Sequence, residues 1–383
     1  MKKISLWGIT ALLTALFCGC SGSKTSMDEE YIAFIQEILT SAYQEEASPE
    51  PFNNAFDRND FAQRIIALGD IPASSKKELV EFLESYFQPG DDLLRKVKED
   101  GAEYQLLKFY RQNDTAHALF RLYNGGISME DWTLVTRKNQ IYVADICNVI
   151  SGLNWSDEWN MNACLYLSIQ SDHFFLFEKL IGINQLVGQE AYAQADSLYT
   201  WVEQACQTNL YAQVLRLNLV SQSQSFDSLG RYAEHFLQLF PAHEDIIHFY
   251  LLQNAIHNGA MPQVDSLCRL LEQDWGYDPI YFLYKAWGYK AAEQLPESMR
   301  MLDSLIAYMP LVYDFYNYKL DLYDEMDDDE GFVRQLEKTD ELFSASEEDI
   351  PFYESTYPNR VKSAAYREWK QKHLVKLAAE NQP

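Results

Sequence analysis

The chain has 383 residues and a formal net charge of −26, from 57 Asp and Glu against 31 Lys and Arg. Such an acid excess repels nucleic-acid phosphates and anionic lipid headgroups alike, so nucleic acid is excluded as a partner class. At 47% hydrophobic and 14% aromatic the sequence is too apolar to stay disordered, and its length suits two or three domains of ~100–200 residues each.

Met1-Lys2-Lys3 precedes an apolar run from Ile4 to Phe17, and Cys18-Gly19-Cys20-Ser21 follows. Two cations, a short apolar run and a small residue before the break have the form of a secretory signal, too short to hold a bilayer permanently. Leu16-Phe17-Cys18-Gly19-Cys20 resembles a bacterial lipobox, with Phe17 where that family prefers Leu. The resemblance implies cleavage after Gly19, which makes residues 1–19 a signal peptide and Cys20 the lipid attachment site. A lipid-anchored protein of the cell envelope follows, on the outer membrane and facing the periplasm or the surface. A transmembrane anchor or an unlipidated secretory signal are the alternatives. Ser21-Gly22-Ser23-Lys24-Thr25-Ser26 is polar, so residues 20–27 read as a tether.

Residues 28–152 read as an α+β domain. Ser26-Met27-Asp28-Glu29 has the form of a capping box, and Tyr31, Phe34, Ile35, Ile38 and Ala42 recur at helical spacing. A second helix is expected at Asp60–Leu68. Ser75-Lys76-Lys77-Glu78 repeats the capping pattern before a third helix with the face Leu79, Phe82, Leu83 and Tyr86, stopped by Pro89-Gly90; Leu93–Val97 adds a turn or two. From Glu103 the apolar period changes to two, and Tyr104–Arg111, Thr115–Tyr123, Trp132–Arg137 and Ile141–Cys147 read as four strands. Asn113-Asp114, Asn124-Gly125-Gly126 and Lys138-Asn139 supply turns, so an antiparallel meander is expected.

Helices followed by such a meander, closed by a strand ending Val143-Ala144-Asp145-Ile146, resemble the cone-shaped fold of the nuclear-transport-factor-like superfamily. That superfamily contains enzymes, binding pockets and adaptors, and its enzymes place acid–base groups inside the cone. His117 and Asp145 are the strand residues to which such a role would fall. Otherwise His117, between Ala116 and Ala118, faces solvent and Asp145 caps the turn after its strand.

Residues 153–383 read as helix after helix. Asp196-Ser197-Leu198 and Asp265-Ser266-Leu267 stand at the same separation as Pro241 and Pro310, close to two tetratricopeptide periods of ~34 residues. Phe282, Ala286, Tyr289, Ser298 and Leu302, counted back from Pro310, resemble one tetratricopeptide repeat, with departures at Lys285 and Leu305. A degenerate copy ending at Pro241 contains Gln213, Leu217, Val220, Leu229, Ala233 and Phe236. The resemblance implies a mainly α chain ending in an α-solenoid of four to six helix pairs, with an atypical cap after Asp349.

Asp-Ser-Leu recurs at 196, 227, 265 and 303, with Asp114-Thr115-Ala116 as a fifth triplet. The triplets resemble an O-glycan acceptor of Gram-negative secreted proteins. A helical pattern inherited with the repeat is the competing reading.

Catalytic signatures are missing. His243-Glu244-Asp245-Ile246-Ile247-His248 spaces its histidines five apart, ~140° around a helix, where a zinc-protease helix needs four. Asp324-Glu325-Met326-Asp327-Asp328-Asp329-Glu330 lacks the alternating oxygens and central glycine of a calcium loop and reads as solvated. Arg360, Lys362, Arg367, Lys370, Lys372 and Lys376 line the last helix and read as a solvated basic face, with pairing to an acidic neighbouring repeat or to a partner as the alternative. Cys147, Cys164, Cys206 and Cys268 fit no metal spacing and sit in apolar segments, so four free buried thiols are favoured over disulfides.

No enzyme, cofactor or metal is therefore expected. The sequence points to a membrane-tethered scaffold that binds a protein partner on its repeats. Glycan or nutrient binding is the alternative, supported by 25 tyrosines among many aromatics; a small-molecule or catalytic pocket in the N-terminal cone is the second alternative.

Overall fold

The computed structural model describes residues 26–383 apart from 100, 113–114, 124–125, 168–171, 204–208, 224–225, 242, 344–348 and 381–383. The signal, Cys20, most of the tether, Asp114 and Cys206 lie outside the described residues. The chain gathers into two compact units, Met1–Leu251 with Leu271–Tyr277, and Leu252–Leu270 with Asp278–Pro383.

In the first unit α1 (Ser26–Tyr43) buries Tyr31, Ile35, Ile38, Leu39 and Ala42 along one stripe. A short helix not read from the sequence, α2 (Glu50–Asn53), leads into α3 (Arg58–Ala67), where the Asp57 carboxylate accepts from the backbone of Asn59 and Asp60. α4 (Lys76–Tyr86) starts differently from expectation. Ser75 makes no capping bond because it closes a 3₁₀ turn, Ala73–Ser75, with a helix-like backbone of its own. Pro89-Gly90 does not merely stop α4; it opens α5 (Pro89–Leu94), where proline suits the first turn. Gly90 N donates to Asn53 Oδ1 at 2.8 Å, and the Pro49 carbonyl lies against Gly90 so closely that no Cβ fits. A π-helical turn, Arg95–Glu99, follows.

The sheet is an antiparallel meander in the order β1 (Glu103–Gln112), β2 (Thr115–Tyr123), β3 (Ile127–Arg137), β4 (Gln140–Asn148), β5 (Leu153–Asn154). It has a short fifth strand beyond the four expected. β3 starts earlier than Trp132, since Glu130 and Asp131 belong to the strand. Lys138 and Asn139 both take positive φ, 49° and 62°, as a two-residue hairpin turn requires. Ala116, Ala118, Phe120, Leu122, Trp132, Leu134, Val143 and Ile146 turn one face of the sheet into the core.

α6 (Trp155–Tyr166) belongs to that same core. Trp155 stacks on Phe56 with centroids 5.8 Å apart, and Trp159 meets Phe87 edge-on at 5.0 Å. The unit continues through α7 (Asp172–Gly188), α8 (Tyr192–Val202), α9 (Leu210–Ser223) and α10 (Phe226–Leu239). Leu271–Tyr277 joins it because Lys108 Nζ donates to the Asp274 carbonyl at 3.0 Å and the Gly276 backbone lies against the Leu107 carbonyl. α11 (Glu244–His257) and α12 (Met261–Trp275) come next in the chain.

The second unit contains α13 (Tyr281–Ala291), α14 (Leu295–Tyr308), α15 (Tyr313–Glu325), α16 (Asp329–Phe343), α17 (Asp349–Thr356) and α18 (Ala364–Glu380). Ala286, Ser298 and Leu302 are fully buried between α13 and α14. Gln213, Leu217, Val220, Leu229, Ala233 and Phe236, the positions counted back from Pro241, are all buried. The fold is thus α+β early in the chain and helical thereafter.

Candidate functional site

A cleft of about 830 Å³ opens in the first unit where α5 and the π-helical turn face the ends of β3 and β4 and the start of α6. Its apolar wall is aromatic: Tyr86, Phe87, Trp155 and Trp159. Asp91, Asp92, Arg95, Lys96, Glu130 and Glu158 supply charge, and Gln88, Ser128, Asn148 and Ser151 supply neutral polar groups.

Glu130 lies at the floor, 5% exposed. A buried carboxylate needs partners on both oxygens, and Glu130 has them. Lys96 Nζ reaches Oε1 at 3.2 Å and the Trp132 indole donates to Oε2 at 3.0 Å. Lys96 also stands 3.6 Å from Asp92 Oδ2 and 5.7 Å from the centre of the Trp155 ring. Burial alone would lower its pKa, but the charges of Glu130 and Asp92 outweigh burial and hold it raised. Glu158 is pushed up from the ordinary carboxylate range by desolvation among the cleft walls and by the like charge of Asp92. Glu130 is committed to holding Lys96 in place, so aromatic faces, amides and free carboxylates at the mouth are what the cleft offers a visitor.

His117 and Asp145 are not brought together, since β3 separates their strands. Nor does His117 face solvent. Its Nδ1 lies 2.9 Å from Asp131 Oδ2, its ring stacks on Tyr110 at 5.0 Å, and the Tyr110 hydroxyl donates to the same carboxylate oxygen at 2.9 Å. Asp145 fixes the start of α6 rather than the turn after its strand, accepting from Ser156 N at 3.1 Å and from Ser156 Oγ at 2.5 Å. Cys147, beside Asp131 across the strand pair, has its thiol pushed up to about 12 by burial and then by that carboxylate, which leaves little thiolate to act as a nucleophile. Cys164 and Cys268 are buried as expected, whereas Cys147 is only half-buried.

The Asp-Ser-Leu triplets at 196, 265 and 303 lie inside helices and bridge helix pairs. Asp196 pairs with Arg216, Asp265 with Lys285 at 2.9 Å and Asp303 with Lys319 at 2.7 Å, each basic residue standing on a helix that follows. The acidic loop is not simply solvated, because Arg360 holds Asp324 at 3.0 Å, Asp329 at 2.7 Å and Asp327 as well. Most of the basic C-terminal set is likewise engaged, with Lys370 on Glu354, Lys372 on Glu368 and Lys376 on Asp340.

Trp201, on α8, is 73% exposed, the largest value among the large apolar side chains described. With Ala193, Gln194, Ser197 and Leu198 it lines a shallow groove along one helix face. Among the described residues no group of His, Cys, Asp and Glu is arranged to hold a metal ion, and no helix is long and apolar enough to cross a membrane. No family model matches the chain, and no curated protein matches it significantly.

Proposed function

We propose that this protein is a non-enzymatic scaffold of the cell envelope, lipid-anchored through Cys20, that engages a protein partner on its helical region. Trp201 carries the reading. An indole left 73% exposed beside a row of small and apolar residues, Ala193, Ser197 and Leu198, costs solubility unless something covers it, and tryptophan is the residue type most enriched at binding hot spots. The lipobox-like run ending at Cys20 supports the tether, and the tetratricopeptide-like positions around Ala286 support a repeat built to present surface. The strongly acidic body favours a partner with a basic face. Affinity capture from solubilised membranes tests this with wild type and Trp201→Ala side by side. One enriched protein is expected, reduced at least about tenfold by the substitution; equal recovery on both baits contradicts the proposal.

A second reading has its own observation. The 830 Å³ cleft with aromatic walls and convergent polar groups suits a small ligand in the α+β part.

A further inference from the structure

We propose that the cleft binds an organic amine: a cationic nitrogen set among the carboxylates of Asp91, Asp92 and Glu158, with a flat or apolar body against Tyr86 and Trp159. This rests on the reading of the cleft as a ligand site.

Four acids and two bases line the cleft, and the bases are already used. Arg95 pairs with Asp92 at 2.7 Å, and Lys96 is held between Asp92 and Glu130. Asp91 and Glu158 make no ion pair among the described residues. An anionic ligand would meet uncompensated like charge, whereas a cation would relieve it.

The cleft already holds one ammonium of its own. Lys96 Nζ has carboxylate oxygens at 3.2 and 3.6 Å and the Trp155 face at 5.7 Å. Carboxylates beside an indole face attract ammonium groups by charge and by the ring quadrupole together. Glu158 and Asp91, both exposed, line the same cleft as Trp159 and Tyr86, the latter 58% exposed. A neutral polyhydroxylated ligand would use the amides and aromatics but would leave the acid excess uncompensated.

The test uses three probes of one shape and different charge: phenethylamine, 2-phenylethanol and phenylacetate. Each is titrated calorimetrically into the purified full chain in detergent at moderate salt. Saturable one-site binding of phenethylamine is expected, at least about tenfold tighter than 2-phenylethanol, with phenylacetate weaker still. Asp91→Asn with Glu158→Gln should weaken phenethylamine about tenfold. Glu337→Gln with Glu341→Gln, exposed acids far along the chain, should leave it unchanged, which separates the cleft from the general acidity of the surface. Equal binding of amine and alcohol would overturn the amine assignment and leave a ligand cleft. Saturable binding of none of the three would overturn both. Equal loss in the two double variants, or in neither, would place the amine elsewhere and overturn the proposal.

Discussion

Ser298 Oγ donates to the carbonyl oxygen of Ala286 at 2.8 Å, and both residues are fully buried between α13 and α14. A side chain on one helix can reach the backbone of the other only where the facing residue is small. Ala286→Phe should therefore overpack the contact and lower stability by ~1–3 kcal/mol or more. Asp328→Asn is the control. Asp328 Oδ1 accepts from Gly331 N at 2.8 Å at the start of α16, and asparagine caps a helix about as well, so its cost should stay within ~0.5 kcal/mol. Chemical denaturation checks the pair, and equal midpoints would remove the tight contact.

The thiols give a pH-dependent prediction. Burial raises Cys147 to about 12 and Cys164 to about 11 from an ordinary 9.0. At pH 8 both should resist iodoacetamide in the native chain and react readily in urea. Above pH 9 the unfolded chain ionises these thiols while the folded chain keeps them protonated, so the unfolded state binds fewer protons and stability is lost as pH rises from 9 toward 11. Fast native labelling at pH 8 would contradict the burial that underlies both effects.

Arg360 satisfies three carboxylates at once, on Asp324, Asp327 and Asp329. Arg360→Met leaves those like charges facing each other, with an expected loss of ~1–3 kcal/mol. Arg360→Lys should restore only part of it, because a point charge on a flexible stem cannot serve three acceptors as a planar fork does. Thermal midpoints of the three proteins decide this, and full recovery by lysine would show that charge alone matters.

Independent folding of the α+β part depends on where it is cut. A fragment of residues 28–152 lacks Trp155, Trp159 and Ala163, which pack on Phe56, Phe87 and their neighbours. A fragment of residues 28–167 should show a cooperative thermal transition, with 28–152 melting lower or without cooperativity. A higher midpoint for the shorter fragment would mean that α6 is dispensable to this core.

Much of the fold is legible in the sequence for a local reason. The inward residues Ala116, Ala118, Phe120 and Leu122 recur at every second position of β2, Lys138-Asn139 is a short polar pair able to take positive φ, and the α1 stripe recurs at helical spacing. The misreadings share a cause too. Glu130 and Asp131 look like turn residues until partners far away in sequence, Lys96 for one and His117 and Tyr110 for the other, show why charge is tolerated in a strand. The cleft was hidden because its walls come from α5, β3, β4 and α6. The acid pair set between Met129 and Trp132 was the one local signal. Arg360 and the acidic loop likewise became a unit only when folding brought them together.

Site-specific photocrosslinking in living cells tests the tethered scaffold most directly. A photoreactive phenylalanine analogue at Trp201 should give one discrete adduct of higher mass in the membrane fraction, with none from the same analogue at exposed Glu341. With Cys20→Ala added, the chain should move to the soluble periplasmic fraction and the adduct should weaken, because the local concentration that tethering provides is gone. No adduct at Trp201, the same ladder at both positions, or a chain that stays in the membrane without Cys20 would contradict it.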